Sequence, residues 1–586
     1  MPIRTVSLAA LLCLAAASGA HAAEREFRPV TDAMLRNPDP ADWLMWRRTL
    51  DAWGYSPLDE INRRNVARLE VAWSIDLDAA PSQEGTPIVH DGVLYFPGPS
   101  DVTLALDAAT GKKLWEHRRA LPEDLGKFVP FPQTNRNLAI YDRLIIDNGA
   151  DNTIYALDAV TGKQVWEHPV FDYHVSHVKQ GSAPFVVAGK LISGRNCQPQ
   201  GGPDACVITA HDARTGKELW RKRTIPKPGE PGGDSWGDVP DGDRWHVGAW
   251  MMPSYDPELN LIYMGTSVTA PAPKFMLAGN DKQYLYHNST LALRPETGEI
   301  VWYYQHVVDH WDLDHPFERI LLDEAVAPDK SEVPWINPRL KPGEKRKVVT
   351  GIPGKTGLIY TLDRATGEFL WARPTIFQNV ITDIDGATGK VTVNEKSLFT
   401  AADQTRFICP TTNGGKNWPA GAYSPRTKTM YMPMQNTCMN ATATASAADR
   451  RPERLYAFTG ETMIAPDADG KVGTVRAFAA ETGKSVWRFD TRAGVMALVA
   501  TGGDLVFGGD VAGNFRAFDA TTGKVLWETN LGSQVTGHPI TFSAGGRQYV
   551  AVSTGRSNVT GGLSRLTPDV APDDSRNRLF VFALPK

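Results

Sequence analysis

Apolar and polar residues alternate in short runs along most of the chain, and seven of these runs finish in the same way. LALDAATGKKLW ends at Trp115, ALDAVTGKQVW at Trp166, AHDARTGKELW at Trp220 and ALRPETGEIVW at Trp302. TLDRATGEFLW ends at Trp371, AFAAETGKSVW at Trp487 and AFDATTGKVLW at Trp527. Each contains T-G-x-x-x-W. The period-two pattern predicts a strand, the Thr-Gly step a tight turn with glycine free to take positive φ, and the residues up to the tryptophan a second strand. The tryptophan is then expected to pack between neighbouring units.

Successive tryptophans stand about 40 to 80 residues apart with one larger gap, a spacing that suits four-stranded propeller blades. Two half-units remain. LEVAWSIDL supplies Trp73 without the turn, and the C-terminal LFVFALPK supplies a strand without the tryptophan. Together they make one composite blade, so the expected fold is all-β: an eight-bladed β-propeller with tryptophan-docking repeats. Separate all-β domains would leave Trp73 and Phe580-Val581-Phe582 as orphans. The interval Trp371 to Trp487 is expected to hold one blade with a large insertion that includes the low-complexity run at 440–446. A Gly/Pro-rich loop, KPGEPGGDSWGDVPDGD, interrupts the interval before Trp302. Residues 24–70, with Trp43, Trp46 and Trp53, are expected to wrap the propeller as an extension of a single domain, 24–586.

Composition narrows the setting. With 42% hydrophobic and 22% charged residues the chain reads as a folded soluble protein, and a formal charge of −4 offers no electrostatic case for nucleic acid or an anionic membrane. Arg4, an apolar run from Val6 to Ala17 and the small-x-small step Ala20-His21-Ala22 predict a signal peptide over 1–23 and a periplasmic protein without a membrane span. Cys13 leaves with that segment. In an oxidising compartment the four remaining cysteines predict two disulfides, locally Cys197 with Cys206 and hence Cys409 with Cys438. No CxxCH is present to attach a c-type haem.

The segment VVDHWDLDHPFERI, from Val307 to Ile320, crowds Asp309, Asp312 and Asp314 around a tryptophan and two histidines. A core has no use for three aspartates, and a solvated acidic loop has no need of aromatic punctuation. A propeller by itself names no function, so a protein-binding scaffold competes with an enzyme holding a cofactor.

The repeat resembles that of the quinoprotein alcohol dehydrogenases, the methanol dehydrogenase family of propellers that use pyrroloquinoline quinone (PQQ), over essentially the whole mature chain. The same repeat occurs in the propeller lipoprotein of outer-membrane barrel assembly, and the residues between repeats discriminate. The resemblance puts the catalytic base on Asp312 of the Trp311-Asp312 step, where a carboxylate accepts the hydroxyl proton as hydride leaves for PQQ. AWMMPSYDPELNLIYMGT puts the quinone-stacking indole on Trp250. GKTGLIYTLDR puts the cation that contacts the reactive carbonyl on Lys355. ICPTTNGGKNWPAGAYSP places a cofactor-binding amide on Asn417 and implies the Cys409–Cys438 bond. NRNLA gives the carboxylate-binding Arg136, and QEGTP a further polar contact at Glu84.

Three departures stand out. Val129-Pro130-Phe131-Pro132 replaces the family's adjacent-cysteine disulfide. SGRNCQPQGGPDAC carries no metal-binding glutamate, and GTSVTAP lacks the metal-binding asparagine, leaving Ser267 and Thr269. The resemblance then implies one cation on Asp312, Asp314, the cofactor and water, calcium being preferred to a lanthanide although Asp314 matches the extra carboxylate of the lanthanide branch. The expected protein is a PQQ-dependent alcohol dehydrogenase (EC 1.1 class) oxidising an alcohol larger than methanol, possibly secondary, and passing electrons to a soluble c-type cytochrome or another external acceptor. The alternative is a propeller that has lost catalysis and serves as a scaffold.

Overall fold

The computed structural model describes residues 1, 27–80, 82–130, 132–178, 180–445, 455–572 and 576–586. The predicted signal segment, Met1 aside, lies outside the described residues, as does Phe131. The strand-turn-strand pattern is realised almost everywhere. Ile88–His90, Val93–Gly98, Val102–Asp107 and Lys113–Arg118 form one antiparallel sheet in chain order. Equivalent sheets cover 139–169, 185–223, 254–305, 320–374, 422–491 and 495–530. An eighth joins the two ends of the chain: Ile540–Ala544, Arg547–Thr554 and Arg578–Ala583 are completed by Glu70–Asp76, with Trp73 opposite Val581.

The turns explain the repeat. In the first, Asp107 Oδ1 accepts from the backbone N–H of Thr110 at 3.0 Å and from its hydroxyl at 2.9 Å, and Gly111 follows with φ 73°. A Cβ on Gly111 would stand 2.6 Å from the indole of Trp73, so glycine serves the backbone and the docking tryptophan together. The relation then passes from sheet to sheet. Trp115 covers Gly162, Trp166 Gly216, Trp220 Gly298, Trp302 Gly367, Trp371 Gly483 and Trp487 Gly523. Trp527 donates to Leu69 O at 3.0 Å, beside the strand that carries Trp73, and the sequence of contacts returns to its start.

Two smaller sheets sit in the long interval before Trp487: Ile381–Ile384 with Val391–Val393, and Thr405–Ile408 with Thr437–Ala443 and Phe458–Ile464. The first of them turns on Asp385, Thr388 and Gly389, the same turn chemistry without a tryptophan after it. Residues 27–70 touch sheets far apart in sequence. Val30 bridges to Asp142 and Trp43 to Val89, Trp53 Nε1 donates to Leu321 O at 2.8 Å, and Tyr55 pairs with Ala500. Cys197 is bonded to Cys206 and Cys409 to Cys438. Among the described residues no helix is long and apolar enough to cross a membrane.

Candidate active site

The loop between Ile300–Gln305 and Ile320–Val326 is wound around one carboxylate. Asp309 is buried and accepts from the backbone of Trp311 at 2.7 Å and from that of Leu313. This corrects the expectation that a core has no use for Asp309: its carboxylate fixes the loop. Trp311 and Leu313 turn into the apolar core, and the residues that alternate with them, Asp312 and Asp314, line a cavity of about 310 Å³. Asp312 has φ 74°, in the left-handed region that aspartate enters more readily than most non-glycine residues.

Lys355 joins the two carboxylates. Its backbone N–H donates to Asp314 O at 2.8 Å, and its Nζ lies 3.0 Å from Asp312 Oδ2 and 3.5 Å from Asp314 Oδ2. Asp314 Oδ1 accepts from Val268 N at 2.9 Å, and Tyr456 donates its hydroxyl to Asp312 Oδ2 at 2.6 Å. Burial pushes the Asp312 carboxyl up to about 7; Lys355 works against that rise and Asp314 adds to it. Burial also opposes the charge on Lys355, but Asp312 and Asp314 outweigh it and hold the ammonium above its ordinary value.

Trp250 and Arg136 line the same cavity, the guanidinium 5.2 Å from the Trp250 ring centre. Arg136 Nε lies 2.7 Å from Glu84 Oε2, and its Nη1 donates to Gly181 O at 2.9 Å. Glu84 therefore holds Arg136. Asn417 is absent from the lining: its amide donates to Asn413 O at 2.8 Å and its Oδ1 accepts from Trp418 N at 2.8 Å. The loop is nonetheless adjacent, since Gly415 N donates to Lys355 O at 2.8 Å. Ser267 and Thr269, the polar candidates left in GTSVTAP, are both committed elsewhere. Their hydroxyls donate to His246 O at 2.7 Å and to Trp245 O at 2.9 Å.

Sequence reasoning missed five polar cavity-lining residues: Asn196, Gln198, His246, Tyr456 and Asn558. Asn196 and Gln198 lie inside the segment noted for its missing glutamate, so their position was a usable signal. Nothing in the pattern marks Tyr456, which arrives from the insertion. A larger cleft of about 510 Å³, bordered by Trp53, Pro257 and Lys428, contains none of the predicted site residues.

A many-sheeted all-β body with an acidic dyad, a lysine and an arginine-capped tryptophan around one cavity defines a class, the propeller oxidoreductases. Residues 43–376 match the family model of the glucose/ethanol/alcohol dehydrogenase β-propeller domain of PQQ proteins, and the chain belongs to that family. Residues 471–565 match the model of the outer membrane protein assembly factor BamB. The chain is 31% identical to the dehydrogenase subunit of a quinone alcohol dehydrogenase from Komagataeibacter europaeus, over 94% of this chain and 77% of that one. It is also 31% identical to quinoprotein alcohol dehydrogenase PedH of Pseudomonas putida, over 100% and 97%. A solved europium-containing methanol dehydrogenase superposes with a TM-score of 0.81 at 27% identity, covering 94% of this chain and 99% of that one.

The cavity suits the cofactor of this family. Both polar atoms of the Gln180 amide, next to cavity-lining Gly181, are buried without a partner among the described residues, and buried polar atoms require one. Trp250 offers an aromatic surface and Arg136 a guanidinium beside it. For a hard cation the charged donors are Asp312 and Asp314, with the amides of Asn196 and Gln198 lining the same cavity.

Proposed function

We propose that the protein is an exported PQQ-dependent dehydrogenase that oxidises an alcohol at the cavity bounded by Asp312, Trp250 and Arg136. The observation that carries the proposal is the convergence of those three side chains on one cavity, with Lys355 against Asp312. PQQ, when bound, supplies the two-electron acceptor for the alcohol's C–H bond. Asp312 accepts the hydroxyl proton, its carboxylate standing at the cavity 3.0 Å from the Lys355 ammonium. Trp250 supports the cofactor plane. Arg136, itself fixed by Glu84, engages a carboxylate, and Asn417 contributes from the loop behind Lys355. Lys355 offsets negative charge developing on the quinone oxygen.

Asp312 and Asp314 would hold a cation, which would supply further polarisation of the quinone; calcium is our choice, a lanthanide the alternative. The eight sheets form one closed ring over 24–586, with 24–70 wrapped on it. The signal-like segment 1–23 directs the chain to the periplasm, and a soluble c-type cytochrome or another external acceptor takes the electrons. Replacement of the adjacent-cysteine wall by Val129-Pro130-Phe131-Pro132 supports a substrate larger than methanol, including secondary alcohols. Nothing at the cavity favours a scaffold reading: the segment matching the assembly factor, 471–565, contains none of Asp312, Asp314, Trp250, Arg136 and Lys355.

The test is to strip the purified protein of metal, reconstitute it with PQQ and each of calcium, lanthanum and no cation, and screen primary and secondary alcohols with an artificial acceptor. PQQ-dependent oxidation of a larger alcohol supports the proposal. Failure to bind PQQ under any of the three conditions refutes it. Full activity without any cation would leave Lys355 alone to polarise the quinone.

A further inference from the structure

Far from the cavity, His168, His211 and Glu218 bring one ligand atom each to within 4.8 Å of one another across the junction of two sheets. His168 belongs to Gln164–Pro169, the outer strand of the sheet 139–169. His211 and Glu218 are register partners in the next sheet, on Val207–Asp212 and Glu218–Arg223. We infer that these three side chains form a binding site for a divalent transition metal of the zinc class, clamping the two sheets where they meet.

His211 carries the inference. It is 0% exposed, and neither ring nitrogen has a hydrogen-bond partner among the described residues. A buried imidazole whose ring nitrogens are both left open, beside a second imidazole and a carboxylate, is a ready ligand set for a metal. His211 Nε2 lies 3.6 Å from Glu218 Oε2, and the His168 and His211 rings are 5.5 Å apart. Donors around one zinc ion stand about 2.0–2.2 Å from it, so a separation of up to 4.8 Å closes by side-chain rotation of half-buried His168 and Glu218. Those two also give the ion its way in.

The surroundings set the chemistry. Arg221 already grips both oxygens of Glu218, at 2.7 and 3.1 Å, which orients the carboxylate and leaves lone pairs free. Two arginines nearby disfavour a hard cation held by charge alone, whereas imidazole donors favour zinc, nickel or copper over calcium. The site is thereby distinct in preference from the Asp312–Asp314 dyad, whose donors are oxygen. With three protein ligands the fourth position goes to water.

The experiment uses the full-length protein, freed of metal and then supplied with PQQ and calcium, and titrates zinc by calorimetry while following the unfolding midpoint. The expected result is one zinc per chain with micromolar affinity and a raised midpoint, neither reproduced by further calcium. His168→Asn and Glu218→Gln, both at half-buried positions, should weaken that binding at least tenfold while leaving alcohol oxidation unchanged. His211→Gln should abolish it; should that variant fail to fold, the other two still decide. An absent zinc isotherm, or one that persists in both His168→Asn and Glu218→Gln, overturns the inference. Loss of alcohol oxidation in a chain that still binds zinc would count against the active-site proposal alone.

Discussion

Two buried lysine–carboxylate pairs lie on either side of the Phe317 turn, and they have opposite characters. Lys416 and Glu318 are sealed, each side chain 0% exposed, with Nζ 2.6 Å from Oε2. Every further valence is used: Lys416 donates to Asn417 O at 3.1 Å and sits 5.1 Å from the Phe317 ring centre, while Glu318 Oε1 accepts from Gly421 N at 2.9 Å. Burial there holds the ammonium below its ordinary value despite Glu318. Lys355 faces two carboxylates rather than one, both of which line a cavity, and its ammonium is held above the ordinary value. The chemistry of the groups is the same. One carboxylate per lysine, walled in, locks a turn; two carboxylates beside a cavity leave a negative charge available to a substrate proton or a cation.

The comparison breaks most sharply at Asp312. Asp312→Asn keeps the shape and removes the base, so turnover should fall by about 10²–10⁴-fold while PQQ titration and the unfolding midpoint change little. Near-normal turnover would remove Asp312 from the chemistry. The converse substitution, Glu318→Gln, leaves Lys416 charged and unpaired in the core and should cost about 3 kcal/mol of stability. Denaturant unfolding reads that loss, and the effect on turnover should be the smaller one. A stability loss as large for Asp312→Asn as for Glu318→Gln would erase the distinction between the pairs.

Smaller effects sharpen it. The base must be ionised; burial raises its carboxyl while Lys355, and a cation on Asp312 and Asp314, favour the charged form, so kcat/KM should rise with pH and level off, along a limb that moves to lower pH when the cation is bound. The Tyr456 hydroxyl donates to the charged form of Asp312. Tyr456→Phe removes that donor, raises the carboxyl further and should move the rising limb to higher pH, with turnover at pH 7 reduced by about three- to tenfold, in line with the loss of one hydrogen bond to a charged group. An unmoved limb would mean that the contact is lost once cofactor binds. Smallest is Asp314→Ala: cation affinity should fall more than PQQ affinity, because Trp250, Arg136 and Lys355 remain.

The repeat made the sheets legible from sequence, for a local reason. A period-two pattern, an Asp-x-x-Thr-Gly turn and a terminal tryptophan each act within about a dozen residues, and Gly111 shows one residue meeting the demands of both turn and docking. The composite sheet was equally readable, because Glu70–Asp76 and Arg578–Ala583 each lacked what the other supplied. Asp312, Trp250, Arg136 and Lys355 could be picked out only because their segments resemble those of a known family; Asp312, Trp250 and Arg136 line one cavity, and Lys355 lies against Asp312.

Tertiary structure alone decided what each polar group was free to do. Asp309 and Asp312 look alike in DHWDLD, yet backbone N–H groups claim the first and leave the second at the cavity. Ser267 and Thr269 are spent on carbonyls, Glu84 is held by Arg136, and Tyr456 reaches Asp312 from 144 residues away. His168, on an outer strand, and His211, on an inner strand of the next sheet, meet only through the packing of the two sheets. Turns and alternation are set by adjacent residues and can be read in one dimension. Whether a buried carboxylate, amide or imidazole keeps a lone pair for chemistry depends on which distant donors reach it first, and only packing fixes that.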